Sequence, residues 1–124
     1  MKVGVLRSAD GRVTVARPAW WADGLWEETR GLLHRPPLPP GSALVIPTQG
    51  VHTWGMRYAL DLIFLDRAMQ ILLVQENWSP GRFGPYRRRA RYVVEMPAGA
   101  WQALAEKPNG PLEWEETPWL PRSC

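Results

Sequence analysis

The chain opens with apolar residues at every second position, Val3 and Val5, then Asp10 and Gly11, then Val13 and Val15. Period-two apolar positions on both sides of an Asp-Gly pair signal a β-hairpin, because that pair tolerates the positive φ a tight turn needs. The pattern predicts strands over 3–7 and 12–17, the second ended by Pro18. The period then lengthens: Leu25, Trp26, Leu32 and Leu33 recur at helical spacing, Asp23 can cap, and Glu27 and Glu28 fall near the positive end. One amphipathic helix is expected over 23–33. Pro36, Pro37, Pro39, Pro40 and Gly41 follow, too proline-dense for helix or central strand, and read as a stiff surface connection.

From Ala43 onward the pattern is that of strands. Residues 43–46, 51–56, 61–66, 69–76 and 91–96 are short runs rich in β-branched, aromatic and Leu residues, separated by turn-like segments. Leu62 to Leu65 leave no polar face, nor do Ile71 to Val74, so both are read as strands covered on both sides and joined in a core hairpin across Asp66, Arg67 and Ala68. Residues 77–90 hold Pro80, Gly81, Gly84, Pro85 and a run of arginines, which reads as a long exposed loop. A helical turn is expected from Pro97 to about Ala105, a last strand at Leu112, Trp114 and Glu116, and a frayed tail over 118–124. The fold class expected is mainly β (α+β): a single domain over 1–124, a compact, mostly antiparallel, β-barrel-like sheet with one amphipathic helix in its N-terminal half and a short C-terminal helical turn.

Composition narrows the function classes. A chain of 124 residues is sized for one hydrophobic core. Its longest runs of Leu, Ile, Val and Phe are four residues, against the roughly 20 needed to cross a bilayer, so no membrane span is expected. The opening residues show no hydrophobic stretch of signal-peptide length, which makes a cytoplasmic location the default expectation. Cys124 is the only cysteine and His34 and His52 the only histidines, so a disulfide within the chain and a thiolate cluster are excluded, and a zinc site would lean on carboxylates. No metal and no cofactor are expected. Net charge is +3, a mildly basic balance that does not mark a dedicated polyanion binder.

Three blocks of residues resemble a known family. Residues 52–66 read His, Thr, Trp, Gly, Met, Arg, Tyr, Ala, Leu, Asp, Leu, Ile, Phe, Leu, Asp; ahead of them stand Arg30, Gly31, Leu32 and Leu33, and behind them Tyr92, Val93, Val94, Glu95, Met96, Pro97, Ala98 and Gly99. In order and spacing these blocks, over about 24–110, resemble the domain-of-unknown-function 192 family. Many members carry Trp, Met, Lys, Asn at the central block, where this chain has Gly55, Met56, Arg57 and Tyr58. The resemblance implies a compact β-barrel-like domain with a helix packed on it, and it supplies no established reaction.

Candidate chemistry gathers at 52–61. An extended 51–56 points His52, Trp54 and Met56 to one side and Thr53, Gly55 and Arg57 to the other. Asp61 has two readings: a structural carboxylate that caps a turn or bonds backbone amides, or one wall of a groove with His52, Trp54, Met56 and Arg57, and with Glu95 opposite. In that groove His52 titrates near neutrality and Arg57 orients an anion. The reading favoured is a binding or accessory module for a small molecule or a protein, and no catalytic residue is assigned. A small hydrolase using Asp61 and His52 is the enzyme alternative; Ser8, Ser42, Ser79 and Ser123 lie in no nucleophile elbow. A further alternative is weak single-stranded nucleic-acid binding through Arg82, Arg87, Arg88, Arg89 and Arg91, interleaved with Phe83, Tyr86 and Tyr92. Against it, Glu106, Glu113, Glu115 and Glu116 are available to neutralise the arginines. Trp20, Trp21 and Trp26 read as a cluster beside the helix, in the core or as an exposed patch.

Overall fold

The Asp10-Gly11 pair turns the chain as its residue types require. In the computed structural model, which describes residues 2–22, 37–52, 58–79 and 83–120, β1 (Lys2–Ser8) and β2 (Thr14–Trp21) pair antiparallel. Gly11 sits at φ 78°, where a side chain would be strained. The Ser8 hydroxyl donates to Asp10 Oδ1 at 2.7 Å and accepts from the Val13 N–H at 3.0 Å, while the Arg12 N–H donates to the same Asp10 oxygen at 3.0 Å. These bonds, that of Ser8 first, hold the Asp10 carboxyl below its usual range. Pro18 does not end the strand. Between Gly4↔Ala19 and Leu6↔Ala16 the second strand gains a residue on the first, and Arg17 and Pro18 occupy this bulge, where a missing N–H is tolerated. The Arg17 N–H turns away to donate to Gly41 O at 2.8 Å.

The remaining elements are β3 (Ala43–Ile46), β4 (Gly50–His52), β5 (Leu60–Leu65), β6 (Ile71–Trp78), β7 (Phe83–Tyr86), β8 (Tyr92–Pro97), the four-residue helix α1 (Ala100–Ala103) and β9 (Leu112–Glu116). Seven strands form one sheet in the order β6-β5-β8-β3-β2-β1-β9, and β4 and β7 pair separately. The sheet is mixed: β2 and β3 run parallel, and a parallel pair requires a crossover of a dozen residues or more. The helix expected over 23–33 falls in that crossover and lies outside the described residues, as does Trp26. The connection before β3 is more than surface, because Leu38 is buried against Trp20, Leu44 and Ile46.

The barrel expectation is corrected. The sheet is open, with β6 and β9 as its edges. Among the described residues the two edges meet through one backbone hydrogen bond, Leu112 N–H to Met69 O at 2.9 Å, and no ladder joins them. The β9 edge carries Glu113, Glu115 and Glu116, charges of the kind that blunt edge pairing. The β5–β6 hairpin forms as expected, but its two strands differ. Every residue of β5 is buried, whereas β6 is only partly so and Leu72 is exposed, because β5 lies between β6 and β8 and β6 has a partner on one side only.

Alternation along the central strands divides the core into two layers. Ala43, Val45, Ile63, Leu65, Val94 and Met96 pack on one face with Leu6, Val15 and Leu112. Leu44 and Ile46 on the other face join Val3, Trp20 and Leu38, while Leu60, Leu62, Phe64 and Val93 join Ala90. Burial on both faces is why these strands read as continuous apolar runs, and each such side chain contributes about 1.5–3 kcal/mol. The tryptophans of β2 divide in the same way. Trp20 is in the core and half-buried Trp21 meets Tyr92 and Trp114, each ring centroid 5.2 Å away.

Gly4 decides how β9 closes on this sheet. Trp114 crosses β1 so that its indole N–H donates to Ala19 O on β2 at 3.0 Å, and a Cβ on Gly4 would run into Trp114 and the backbone of Glu115. Gly4→Ala is therefore expected to destabilise the fold by about 2–3 kcal/mol, as overpacking against backbone does, measured as a lowered urea midpoint. An unchanged midpoint would show that β9 moves freely.

Candidate functional site

Asp61 follows Leu60 at the start of β5 and shares a face with Ile63 and Leu65. It is fully buried. Its Oδ1 accepts the Asn77 N–H at 2.8 Å, and its Oδ2 accepts the N–H groups of Gly99 at 3.1 Å and Trp101 at 3.0 Å. One carboxylate thus joins the end of β6, the turn after β8 and the first turn of α1. Asn77 and Gly99 both have positive φ, 52° and 91°; Asn77 falls at the register shift of β6 against β5, between the Trp78 and Gln75 pairings, and Gly99 in the turn after β8. This is the structural carboxylate of the two readings, and both oxygens are engaged on backbone.

Glu95 does not stand opposite Asp61. In the β5–β8 register Asp61 pairs with Met96 and Glu95 with Leu62, so alternation sends the two carboxyls to opposite faces of the sheet. Glu95 lies between Leu62 and Leu44 on its neighbouring strands. Burial among them pushes its carboxyl up from 4.5 to about 7. Of the other groove candidates, His52 has its backbone in β4, paired with Phe83, and Trp54, Met56 and Arg57 lie outside the described residues. The sequence treats His52 and the arginine loop as separate; the β4–β7 ladder pairs the His52 backbone with Phe83, at the start of the strand that leads into the arginine turn.

That ladder also shapes the arginine turn. The loop expected over 77–90 contains β7, and Gln49, just ahead of β4, grips the residues that leave this strand. The Arg87 N–H donates to Gln49 O at 3.0 Å, Gln49 Nε2 donates to Arg88 O at 2.9 Å, and the Tyr86 hydroxyl donates to Gln49 Oε1 at 3.3 Å. The Ala90 N–H closes the turn onto Arg87 O at 3.1 Å, and the Arg91 N–H ties it to Leu65 O on β5 at 2.8 Å. Arg87, Arg88, Arg89 and Arg91 are all exposed; Arg82 lies outside the described residues.

Beside this turn stands a residue that no sequence pattern singles out. The pairing of Leu65 with Tyr92 sets the β5–β6 turn next to the arginines, and an open cleft of about 500 Å³ is lined by Asp66, Arg67, Arg88, Arg89 and Arg91. Asp66 Oδ1 is occupied by the N–H groups of Ala68 at 2.8 Å and Gln70 at 3.0 Å, so it serves its own turn. Of the glutamates expected to neutralise the arginines, two are engaged elsewhere: Glu115 pairs with Arg7 at 2.9 Å and Glu106 with Arg12 at 3.6 Å. Among the described residues no carboxylate forms an ion pair with a cleft arginine. Arg67 is about 20 residues from the run, and only strand register reveals it.

The comparisons with known proteins meet this geometry at the level of the family. The DUF192 model, described as uncharacterized ACR, matches residues 6–114. The chain belongs to the DUF192 family. Two curated relatives carry the name UPF0127 protein. The one from Thermococcus sibiricus is 26% identical over 110 residues, covering 85% of this chain and 67% of its own. The one from Pyrococcus furiosus is 34% identical over 101 residues, 76% of this chain and 84% of its own. The DUF192 fold has counterparts among solved structures. A Sinorhizobium meliloti protein described as a candidate transcription regulator aligns with TM-score 0.69 at 22% identity, covering 91% of this chain and 92% of that one. A Novosphingobium aromaticivorans protein of unknown function aligns with TM-score 0.70 at 19% identity, over 90% and 84%. At these identities the likeness is one of fold.

Two variants separate the carboxylates. Asp61→Asn places an amide NH₂ against one of the backbone donors, and a loss of about 2–4 kcal/mol of unfolding free energy is expected, since a buried donor loses its acceptor; a variant as stable as the parent would remove Asp61 from its structural role. For Glu95 the folded carboxyl holds its proton more tightly than the unfolded one. Its contribution is full below pH 4.5 and is lost as pH rises through about 7. Relative to Glu95→Gln, the protein is expected to lose about 3 kcal/mol between pH 4.5 and 8, read from urea titrations at each pH. A pH-independent difference would place the carboxyl in contact with water or with a cation.

Proposed function

We propose that the chain is a binding module whose ligand is anionic, seated in the cleft of Arg67, Arg88, Arg89 and Arg91. One observation carries the reading: four arginines from two turns line one concavity with a single acid, Asp66, whose Oδ1 accepts two backbone N–H groups of its own turn, while Arg91 also donates to the Ala90 and Arg88 carbonyls. The cations outnumber the acid four to one, an excess that an anionic partner balances. Arginine suits such a partner because its planar fork donates two parallel hydrogen bonds to a phosphate or carboxylate. The arginine turn is tied by hydrogen bonds to Gln49 and Leu65, so the backbone that carries three of the cations is held in place before a ligand arrives. The engagement of both Asp61 oxygens supports a binding role over the hydrolase alternative, which needs that carboxylate free to meet a substrate or a water.

The anionic-ligand reading extends to β4, whose backbone includes His52 and pairs with the strand that leads into the arginine turn. Isothermal titration with sodium tripolyphosphate tests it. Binding is expected, weakening several-fold between 50 and 200 mM salt and about tenfold or more in Arg88→Ala with Arg89→Ala, as loss of charge-assisted hydrogen bonds implies. No binding to the parent protein at low salt, or equal affinity in the double variant, would overturn the proposal.

A further inference from the structure

Resting on the anionic-ligand reading, the geometry points to a narrower ligand: we infer that the cleft and Tyr86 together take single-stranded nucleic acid, phosphates on the arginines and a base on the tyrosine ring. Three observations carry this beyond a generic anion. First, Tyr86 is the last residue of β7 and 59% exposed, which leaves an aromatic ring open to solvent. It stands directly before Arg87, Arg88 and Arg89. Second, its hydroxyl is held by Gln49, which also binds Arg88 O, so ring and arginine turn are fixed to one side chain and keep their relation when a ligand arrives. Third, the cations come from two separate turns, Arg67 on one and Arg88, Arg89 and Arg91 on the other. A charged track beside an exposed, pre-oriented aromatic is the arrangement by which single strands are held, stacking being available only where bases are unpaired. A small phosphate would use the arginines and leave the tyrosine idle.

Fluorescence anisotropy with labelled dT12, a matched 12-base-pair duplex as second probe, and unlabelled tripolyphosphate as competitor separates these cases. The single strand is expected to bind more tightly than the duplex. Its affinity should fall with salt at a log-log slope of about −3, four phosphate contacts at roughly −0.7 each, and Arg88→Ala with Arg89→Ala should halve that slope. Tyr86→Ala is expected to weaken dT12 about tenfold while leaving tripolyphosphate binding unchanged, and Tyr86→Phe to keep most of the affinity. All of these side chains are exposed, and circular dichroism confirms that each variant folds. Equal binding of strand and duplex, or dT12 binding indifferent to Tyr86→Ala, overturns the inference and leaves the anion reading intact. Failure of dT12 and tripolyphosphate alike overturns both.

Discussion

A buried carboxylate that accepts three backbone N–H bonds sets the geometry of one end of this sheet. Asp61 reaches Asn77, Gly99 and Trp101, residues 16, 38 and 40 positions away in the chain, the first near the end of β6, the second in the turn after β8 and the third in α1. Losing such a bond costs about 1–3 kcal/mol where the donor is shut off from water. With all three, the end of β6, the turn after β8 and the start of α1 are held to the first residues of β5. The best-marked acid in the sequence is therefore an architectural one, and the arginine-lined cleft lies at the opposite end of the same strand.

At that opposite end β5 runs into the Asp66–Gln70 turn, and β8 begins where the arginine turn ends. The two turns are neighbours because β5 and β8 are paired from Leu60↔Pro97 to Leu65↔Tyr92. Register fixed by core packing at Ile63, Phe64, Val93 and Val94 thus brings Arg67 to Arg88, Arg89 and Arg91. The small β4–β7 ladder adds Gln49 and Tyr86. The resulting cleft is cationic because four arginines line it with one acid, and Glu115 of β9 and Glu106 pair instead with Arg7 and Arg12 on the first hairpin.

Glu95 is the second departure from a simple apolar core. A central strand puts it between Leu44 and Leu62, where its proton is retained to about pH 7. It shares a short stretch of sequence with Met96, which faces Asp61, and the pleat sends the two acids to opposite layers. The sequence reading set Glu95 opposite Asp61 in one groove; strand alternation separates them.

Much was legible before the fold was known. Period-two patterning around Asp10 and Gly11 marked the first hairpin, unbroken apolar runs marked the buried strand at 60–65, and turn residues bounded β3, β8 and β9, because such signals act within a few residues. Asp61 was legible as a residue that must be satisfied, and the three blocks were legible as a family. The parallel pairing of β2 with β3, the passage of a strand through Pro18, the open edge that keeps β6 half-exposed and the meeting of Arg67 with the arginine turn were not. Each is set by which distant strand lies alongside which, a choice made by burying two apolar layers at once, and no local pattern records it.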